Sequence, residues 1–247
     1  MTELRSSPAA RTRACRRALS IADGVWLLRG GFPRLVNVYL VADEGGVLLF
    51  DAGIRSMAKR LVTAARTLGG ITRIILSHSH VDHRGAAPQL GAPVLCHTAE
   101  RADAEGDGGM SYLDLSKLNP IARQVLPRLW RRWDGGPVCI AGTLEEGEEV
   151  AGFEVVHVPG HAPGEIVLWR RSDRLALASD CFFTINIESG RKGAARLPPA
   201  VLTKDSEQAR ASMVKLAALE PAAAWPGHGD PLLTKVRARL EYAAAAS

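Results

Sequence analysis

The sequence of 247 residues predicts a single α+β domain that follows a short tail. Two observations predict this class. Short runs of β-branched and aliphatic residues, bounded by turn residues, occur in both halves of the chain and are typical of strands. Between them lie segments with helix start and stop signals. The apolar fraction of 47% and the charged fraction of 23% are those of a globular protein with a substantial core.

The tail comprises residues 1–20 and is expected to be disordered and basic. It contains five arginines and one glutamate, so most of the net charge of +5 belongs to it. The domain, residues 21–247, is therefore nearly neutral. A neutral body does not favour a phosphate-binding surface, so we expect no nucleic-acid partner.

The same composition bears on location. The tail lacks the apolar stretch of a signal peptide, and no run of about 18 apolar residues is present for a membrane span. The four cysteines are scattered and form no CxxC pair, which is typical neither of a zinc ribbon nor of a disulfide framework. We therefore expect a cytoplasmic protein with no membrane partner.

The first half of the domain is expected to begin with a meander of three strands, followed by a helix that stops at Gly69 and Gly70. A further strand then leads into a histidine-rich segment. The predicted elements are strands at 24–28, 36–41 and 47–50, a helix at about 55–68, a strand at 72–76, a short helix near 84–91 and a strand at 93–96.

Residues 105–137 carry helix signals, unlike the strand-rich segments on either side, and predict a helical insertion. Asn119 and Pro120 are typical of a helix start, with Asn as the cap and Pro at the first helical position. Pro127 is expected to kink this helix. The insertion could serve as a lid, but the favoured interpretation is that Trp130 and Trp133 pack on the core.

The second half returns to strands and ends in helices. A Gly- and Pro-containing loop is expected at about 185–204. The other predicted elements are strands at 152–158, 164–170 and 174–179, a helix at 206–219, a strand at 222–225 and a final helix at about 231–244.

Three of the seven histidines lie in one window, His78-Ser79-His80-Val81-Asp82-His83. His78 and His80 are two residues apart, so in an extended segment both imidazoles point to the same side. Asp82 and His83 are expected in the turn beyond. Such crowding of imidazoles and a carboxylate indicates that they share a metal ion.

Three single residues, each after a predicted strand, extend this window. His161 lies in Pro-Gly-His-Ala-Pro-Gly, Asp180 follows an apolar strand, and His228 lies in Pro-Gly-His-Gly. Alone, each is typical of a turn or capping residue, but together with the window they indicate one site on a rigid scaffold. The remaining histidines, His97 and His157, are interpreted as structural.

On these residues the chain resembles the metallo-β-lactamase superfamily, from about Gly24 to Leu233. The resemblance rests on five motifs in order: Asp51 after an apolar strand, the histidine window, and then His161, Asp180 and His228 in their turns. It implies a four-layer αββα sandwich with a metal site at one edge of the sheets.

The resemblance also implies the ligands of two divalent metal ions. Zinc is the expected metal, with iron and manganese as alternatives. Asp180 would bridge both ions, and Asp51 would orient the histidine loop without being a ligand. One ion would be held by His78, His80 and His161, and the other by Asp82, His83 and His228.

Such a site implies a hydrolase in which a metal-bridging hydroxide attacks the carbonyl of an ester, thioester, lactone or amide. The three-histidine metal would stabilise the oxyanion. Asp82 and Asp180 are the expected catalytic carboxylates, with Asp82 orienting the hydroxide or moving its proton. The best-known β-lactamases have cysteine where this chain has Asp180, which favours the thioesterase, lactonase and general hydrolase branches.

The same set of ligands is also compatible with other activities. A persulfide-dioxygenase-like enzyme would use one Fe(II) held by His78, His161 and Asp180. Phosphodiesterase, nuclease or β-lactamase activity is a further alternative.

The substrate is expected to be a small molecule, and a homodimer is left open. The pocket walls are expected in the insertion 105–137 and the loop 185–204. Apolar walls could come from Met110, Tyr112, Trp130, Trp133, Phe182 and Phe183, and a carboxylate could be bound by Arg191 and Lys192.

Overall fold

The computed structural model describes residues 18–31, 35–187 and 190–246. Of the predicted tail, residues 1–17 lie outside the described part. Leu19 and Ser20, its last two residues, belong to the first strand. Within the described part, the strands form two large sheets and a two-stranded ribbon.

The first sheet has seven strands in sequence order. Its first four strands are antiparallel neighbours, and the pairs from β4 to β7 are parallel. The strands are β1 (Leu19–Ala22), β2 (Val25–Gly30), β3 (Val36–Asp43), β4 (Gly46–Phe50), β5 (Ile71–Ile75), β6 (Val94–His97) and β7 (Ile140–Leu144).

The second sheet has five strands in the order β14-β11-β10-β9-β8, and β12 pairs with β13 in the ribbon. Only the β11–β14 pair is parallel in the second sheet. The strands are β8 (Glu149–Val150), β9 (Phe153–His157), β10 (Ile166–Arg170), β11 (Leu175–Ser179), β12 (Phe183–Ile185), β13 (Lys192–Arg196) and β14 (Ala223–Pro226).

Six α-helices connect or cover these sheets in the described residues. Short 3-10 turns precede or join several of them. The helices are α1 (Ala58–Arg66), α2 (Val81–Arg84), α3 (Arg101–Glu105), α4 (Pro120–Trp133), α5 (Ser206–Ala218) and α6 (Val236–Ala245). Among the described residues, no helix combines the length and the apolar character that crossing a bilayer requires.

Strand alternation divides the core into layers. On β3, Val38 and Leu40 face a cluster that includes Leu61 of α1, whereas Tyr39 and Val41 face a cluster shared with the second sheet. On the far side of the second sheet, α5 and α6 pack in a third cluster that includes Met213 and Leu240. The order helix, sheet, sheet, helix confirms the predicted αββα sandwich.

Most predicted elements are present with boundaries shifted by a few residues. The insertion contains α4, where the Asn119 side chain accepts a hydrogen bond from the Ala122 amide at 2.9 Å, as predicted for a cap. Pro127 lies inside this helix. Trp130 is buried and Trp133 packs against the first core cluster, which agrees with packing on the core.

Several predicted elements were wrong in detail. The expected helix near 84–91 is instead α2 followed by a 3-10 turn at Ala87–Gln89. The expected loop 185–204 contains β13, which pairs with β12. The last helix begins at Val236 rather than near residue 231, because Leu232 forms a β-bridge with Ala224. Strands β1, β7, β8 and β12 were not predicted.

Candidate metal centre

Five strands end at one edge of the sandwich, and a site residue follows each of them. Asp51 follows β4, the histidine window follows β5, His161 follows β9 by a short turn, and Asp180 and His228 follow β11 and β14. Backbone hydrogen bonds join the sheets here, from Ile166 N to the Ser77 carbonyl at 3.0 Å and from Asn37 N to the Gly227 carbonyl at 2.9 Å. The two sheets therefore meet where the site residues lie.

Asp180 lies at the centre of the cluster. Its Oδ2 atom is 3.4 Å from the Nε2 atoms of His83, His161 and His228, and 4.0 Å from that of His78. One carboxylate oxygen therefore contacts imidazoles on both sides, as a residue shared by two metal ions would.

Two groups of potential ligands flank Asp180. His78, His80 and His161 bring their ligand atoms within 4.8 Å of one another, and Asp82, His83 and His228 do the same. A further group, His78, His83 and Asp180, lies between them. All seven predicted ligand residues are thus brought together, although Asp82 and His83 lie in the first turn of α2 and not in the expected turn.

Unpartnered polar atoms point to a cation at this place. His78 Nε2, His161 Nε2 and Asp180 Oδ1 are buried and have no hydrogen-bond partner among the described residues. A buried polar atom without a partner is costly, by roughly 1–3 kcal/mol. Imidazole nitrogens and carboxylate oxygens are also the donors that divalent transition metals take. The residues present therefore fit a metal ion.

Asp51 is hydrogen-bonded to the histidine loop and does not join either group. Its Oδ2 atom lies 2.8 Å from His83 Nδ1, and its Oδ1 accepts the Ser77 amide at 2.8 Å. The hydroxyls of Ser77 and Ser179 also donate to Oδ2, at 2.9 and 3.2 Å. With its Nδ1 held by Asp51, His83 presents Nε2 to the centre.

Two of these supporting residues have strained backbones. The φ angles of Asp51 and Ser179 are 66° and 42°. Such left-handed conformations cost of order 1–3 kcal/mol each in residues other than glycine and persist only where the surroundings impose them. Their direct contact places this strain at the junction of the two sheets beneath the ligands.

Three other imidazoles of the site also have a polar partner at one ring nitrogen. His161 Nδ1 lies 3.2 Å from the Thr203 hydroxyl, and His228 Nδ1 donates to the Leu35 carbonyl at 2.9 Å. His80 Nε2 lies 3.2 Å from the Tyr112 hydroxyl, which leaves Nδ1 of His80 as the nitrogen for a metal.

Electrostatics divide the histidines into two sets. Burial lowers the pKa of His78, that of His80 to about 4 and that of His161 to about 3, so these imidazoles are neutral at neutral pH. For His83 and His228 burial also lowers the pKa, but nearby carboxylates outweigh it. Asp180 and Asp51 raise the pKa of His83, and Asp180 and Asp82 raise that of His228 to about 10.

Sequence reasoning missed several supporting residues. Ser77 and Ser179 are direct neighbours of His78 and Asp180, and this adjacency was the only signal for them. Thr203 lies 42 residues from its partner His161, and Glu100 lies 64 residues from its partner Gly164. No local pattern identifies such distant contacts.

The expected pocket residues are only partly at the site. Met110 and Trp130, with Leu113 and Leu202, line a small recess beside His80 and Asp82. The Phe183 ring lies 4.7 Å from that of His228. Phe182 and Trp133 instead belong to the core. Lys192 is ion-paired with Asp230 at 2.7 Å, and Arg191 also has an interaction partner.

Comparisons with known proteins agree with this geometry. The chain is 29% identical over 220 residues to "Probable metallo-hydrolase YflN" of Bacillus subtilis (strain 168), which covers 82% of this chain and 83% of that protein. The metallo-beta-lactamase family protein TTHA1429 of Thermus thermophilus superposes with a TM-score of 0.65 at 25% identity, covering 92% of this chain and 80% of that chain.

A second solved structure is TTHA1623 in a di-iron-bound form, with a TM-score of 0.61 at 27% identity, covering 87% of this chain and 97% of that chain. The family model described as "Metallo-beta-lactamase superfamily" matches residues 31–228, which include every candidate ligand. The chain therefore belongs to the metallo-beta-lactamase superfamily.

Proposed function

We propose that this protein is a hydrolase that depends on two divalent metal ions. The observation that carries the proposal is the position of Asp180 Oδ2, 3.4 Å from the Nε2 atoms of His161 on one side and of His83 and His228 on the other. One ion would be held by His78, His80 and His161, and the other by Asp82, His83 and His228, with Asp180 shared. Membership of the superfamily and the likeness to YflN support a metallo-hydrolase.

Two cations in such a site would make a water nucleophilic near neutral pH and would polarise a carbonyl group. The chain's own residues supply orientation and a proton acceptor. Asp51 holds His83 in place, and Thr203 and Leu35 hold His161 and His228.

Asp82 is the candidate ligand whose side chain is the most exposed, at 19%. It borders the recess next to His80. We therefore assign to Asp82 the task of accepting the proton of the attacking water and passing it to the leaving group.

The substrate is proposed to be a small carbonyl compound, namely an ester, thioester, lactone or amide. The recess beside Asp82 has apolar walls from Met110, Leu113, Trp130 and Leu202, so it favours an apolar group next to the scissile bond. For the metal, zinc is proposed from the histidine-rich ligand set, and the di-iron-bound form of TTHA1623 supports iron as the alternative.

The test is a substrate panel run on metal-depleted protein and on the same protein reloaded with Zn²⁺, Fe²⁺ or Mn²⁺. The panel contains thioesters, lactones, aryl esters, β-lactams and phosphodiesters. We expect hydrolysis of a carbonyl substrate that disappears on chelation and returns on reloading. Activity that resists chelation, or that is confined to phosphodiesters, would refute the proposal.

The same samples test the alternative of a mononuclear iron dioxygenase. Protein loaded with Fe²⁺ is given glutathione persulfide while dissolved oxygen is recorded. The hydrolase proposal predicts no oxygen uptake. Uptake that Asp180→Asn abolishes, together with a single iron per chain, would replace the hydrolase with the oxidoreductase.

A further inference from the structure

Glu100 is a fully buried carboxylate that belongs to neither ligand group. It lies in the 3-10 turn Thr98–Glu100 between β6 and α3. Its Oε2 atom accepts a hydrogen bond from the Ser79 amide at 2.8 Å, and its Oε1 accepts one from the Gly164 amide at 2.7 Å. Both carboxylate oxygens are therefore used by backbone donors.

These two amides belong to the two loops that carry the three-histidine group. Ser79 lies between His78 and His80, and Gly164 lies three residues after His161. A single carboxylate thus joins the loop of the first sheet to the loop of the second.

Glu100 lies in close contact with both loops. The Ser79 hydroxyl also donates to the Glu100 carbonyl, at 3.2 Å. A Cβ atom at Gly164 would lie 2.8 Å from both Cγ and N of Glu100, so only glycine fits this position without a shift. A buried carboxylate is tolerated where hydrogen bonds satisfy it, as these do.

We infer that Glu100 is a positioning residue that sets the distance between the His78–His80 loop and the His161 loop, and thereby the affinity of the three-histidine group for its metal ion. This inference rests on the proposed metal centre but not on hydrolysis.

The second ligand group is held by other residues. His83 is oriented by Asp51, and His228 by the Leu35 carbonyl. The hydrogen bonds of the Glu100 carboxylate go to Ser79 and Gly164, and neither flanks Asp82, His83 or His228 directly in the chain. Loss of the Glu100 carboxylate should therefore weaken one group selectively.

Three variants separate this role from a general effect on folding. Glu100→Gln keeps the size of the side chain but turns an amide NH₂ towards one of the two backbone donors. Glu100→Asp keeps the carboxyl group and shortens the side chain, and serves if the glutamine variant does not fold. The matched control is Glu105→Gln, an exposed glutamate of the following helix that accepts the Ile140 amide at 3.3 Å.

The main measurement is Zn²⁺ affinity by competition with a chromophoric chelator, in two backgrounds. Asp82→Ala leaves the three-histidine group intact, and His161→Ala breaks it. We expect Glu100→Gln to lower the affinity about 10–100-fold in the Asp82→Ala background, the usual effect of removing a residue that supports a ligand. In the His161→Ala background, and with Glu105→Gln, the affinity should not change.

An equal loss in both backgrounds would mean that Glu100 supports the fold in general, and no loss in the Asp82→Ala background would mean that it does not position the ligands. Either result overturns the inference. A protein that binds Zn²⁺ with this pattern but hydrolyses nothing in the panel would refute the hydrolase proposal and leave this inference standing.

Hydrogen exchange of the metal-free protein gives a readout that needs no metal. At least one of the amides of Ser79 and Gly164 should exchange faster in Glu100→Gln than in the wild type or in Glu105→Gln. Unchanged exchange at both amides would contradict the hydrogen bonds on which the inference depends.

Discussion

Asp180 lies between the two ligand groups of the candidate metal centre. Burial alone would raise its pKa, but the imidazoles of His228 and His83 hold the pKa of this carboxyl well below its usual range. It is therefore a carboxylate at neutral pH, with Oδ1 unpartnered among the described residues and Oδ2 among four imidazoles. Both charge and position suit it to the shared role that we propose for it.

The substitution Asp180→Asn tests this assignment because it removes the charge and keeps the shape. We expect kcat/KM for the best panel substrate to fall by roughly 100-fold or more, and the second equivalent of bound metal to be lost. The matched control is Asp173→Asn, an exposed aspartate paired with Arg170. An Asp180→Asn protein with normal metal content and normal activity would contradict the bridging role.

Gly227, in the turn before His228, lies against the same carboxylate. A Cβ at this position would lie 2.2 Å from Asp180 Oδ1 and 2.8 Å from His83 Cε1, which no ordinary contact allows. We predict that Gly227→Ala displaces Asp180 and weakens metal binding.

Gly142 in β7 is the control for this glycine, since a Cβ there would meet only the Leu95 side chain, at 3.7 Å. Calorimetric titration with Zn²⁺ should separate the two variants. Equal affinity in Gly227→Ala and Gly142→Ala would mean that the turn relaxes without moving Asp180.

At the scale of residues, the sequence predicted which residues come together at the candidate site but not most of the residues that support them. The histidine window can be recognised in the sequence because several potential ligands lie close together in it. Asp51, His161, Asp180 and His228 can be recognised because each follows a strand. Glu100 has no such signal, because its partners are separated from it by 21 and 64 residues in the chain. Only the fold brings them together.

At the scale of elements, prediction failed where pairing rather than composition makes a strand. Lys192–Arg196, with the sequence KGAAR, contains no β-branched residue, yet it forms β13 by pairing with β12. The helix α2 has four residues, too few for any periodicity to appear. By contrast α5, predicted at 206–219, is observed as Ser206–Ala218, with Asp205 accepting the Gln208 amide at its start.

Asp43, at the end of β3, fixes β5 across β4 and makes stability depend on pH. It accepts Thr72 Oγ1 at 2.7 Å and Arg73 in two hydrogen bonds of 2.9 and 2.8 Å. Burial alone would raise its pKa, but these donors outweigh burial and lower the pKa below the ordinary value of 3.8. A lowered pKa stabilises the fold above pH 3.8, and this stabilisation is lost as the pH falls through the folded-state pKa.

Asp43→Asn should therefore unfold at a lower urea concentration than the wild type at pH 7. The difference between the two proteins should shrink as the pH is lowered below 3.8, because the unfolded chain then takes up a proton before the folded protein does. It should vanish once the pH lies below the folded-state pKa, where the wild-type carboxyl is protonated in both states. The test is a pair of denaturation curves at each pH. A difference that stays constant across this range would show that the ion pair contributes nothing through its charge.

At the scale of the whole molecule, the candidate metal centre lies at the junction of the two sheets of the sandwich. His78, His80, Asp82 and His83 come after a strand of the first sheet, while His161, Asp180 and His228 come after strands of the second. The α+β class followed from local patterns in the sequence. The four-layer arrangement followed only from the resemblance, since no local pattern says which sheet faces which.

Because the ligands come from both sheets, bound metal should stabilise the entire fold. A ligand present at about 1,000 times its Kd adds about 4 kcal/mol to the free energy of unfolding. We predict that a chelator lowers the melting temperature of the wild type in differential scanning calorimetry. The chelator should lower the melting temperature of Asp180→Asn by less than that of the wild type, because this variant is expected to bind one ion rather than two. A melting temperature of the wild type that the chelator does not change would argue against metal at this junction.

The most direct test of the central claim is a count of metal ions per chain, by elemental analysis after equilibrium dialysis against Zn²⁺. The geometry around Asp180 predicts two ions in the wild type. One ion is expected in Asp82→Ala, which keeps the three-histidine group, and one in His161→Ala, which keeps Asp82, His83 and His228. A wild type with one ion or none, or variants with the same count as the wild type, would contradict a two-metal centre.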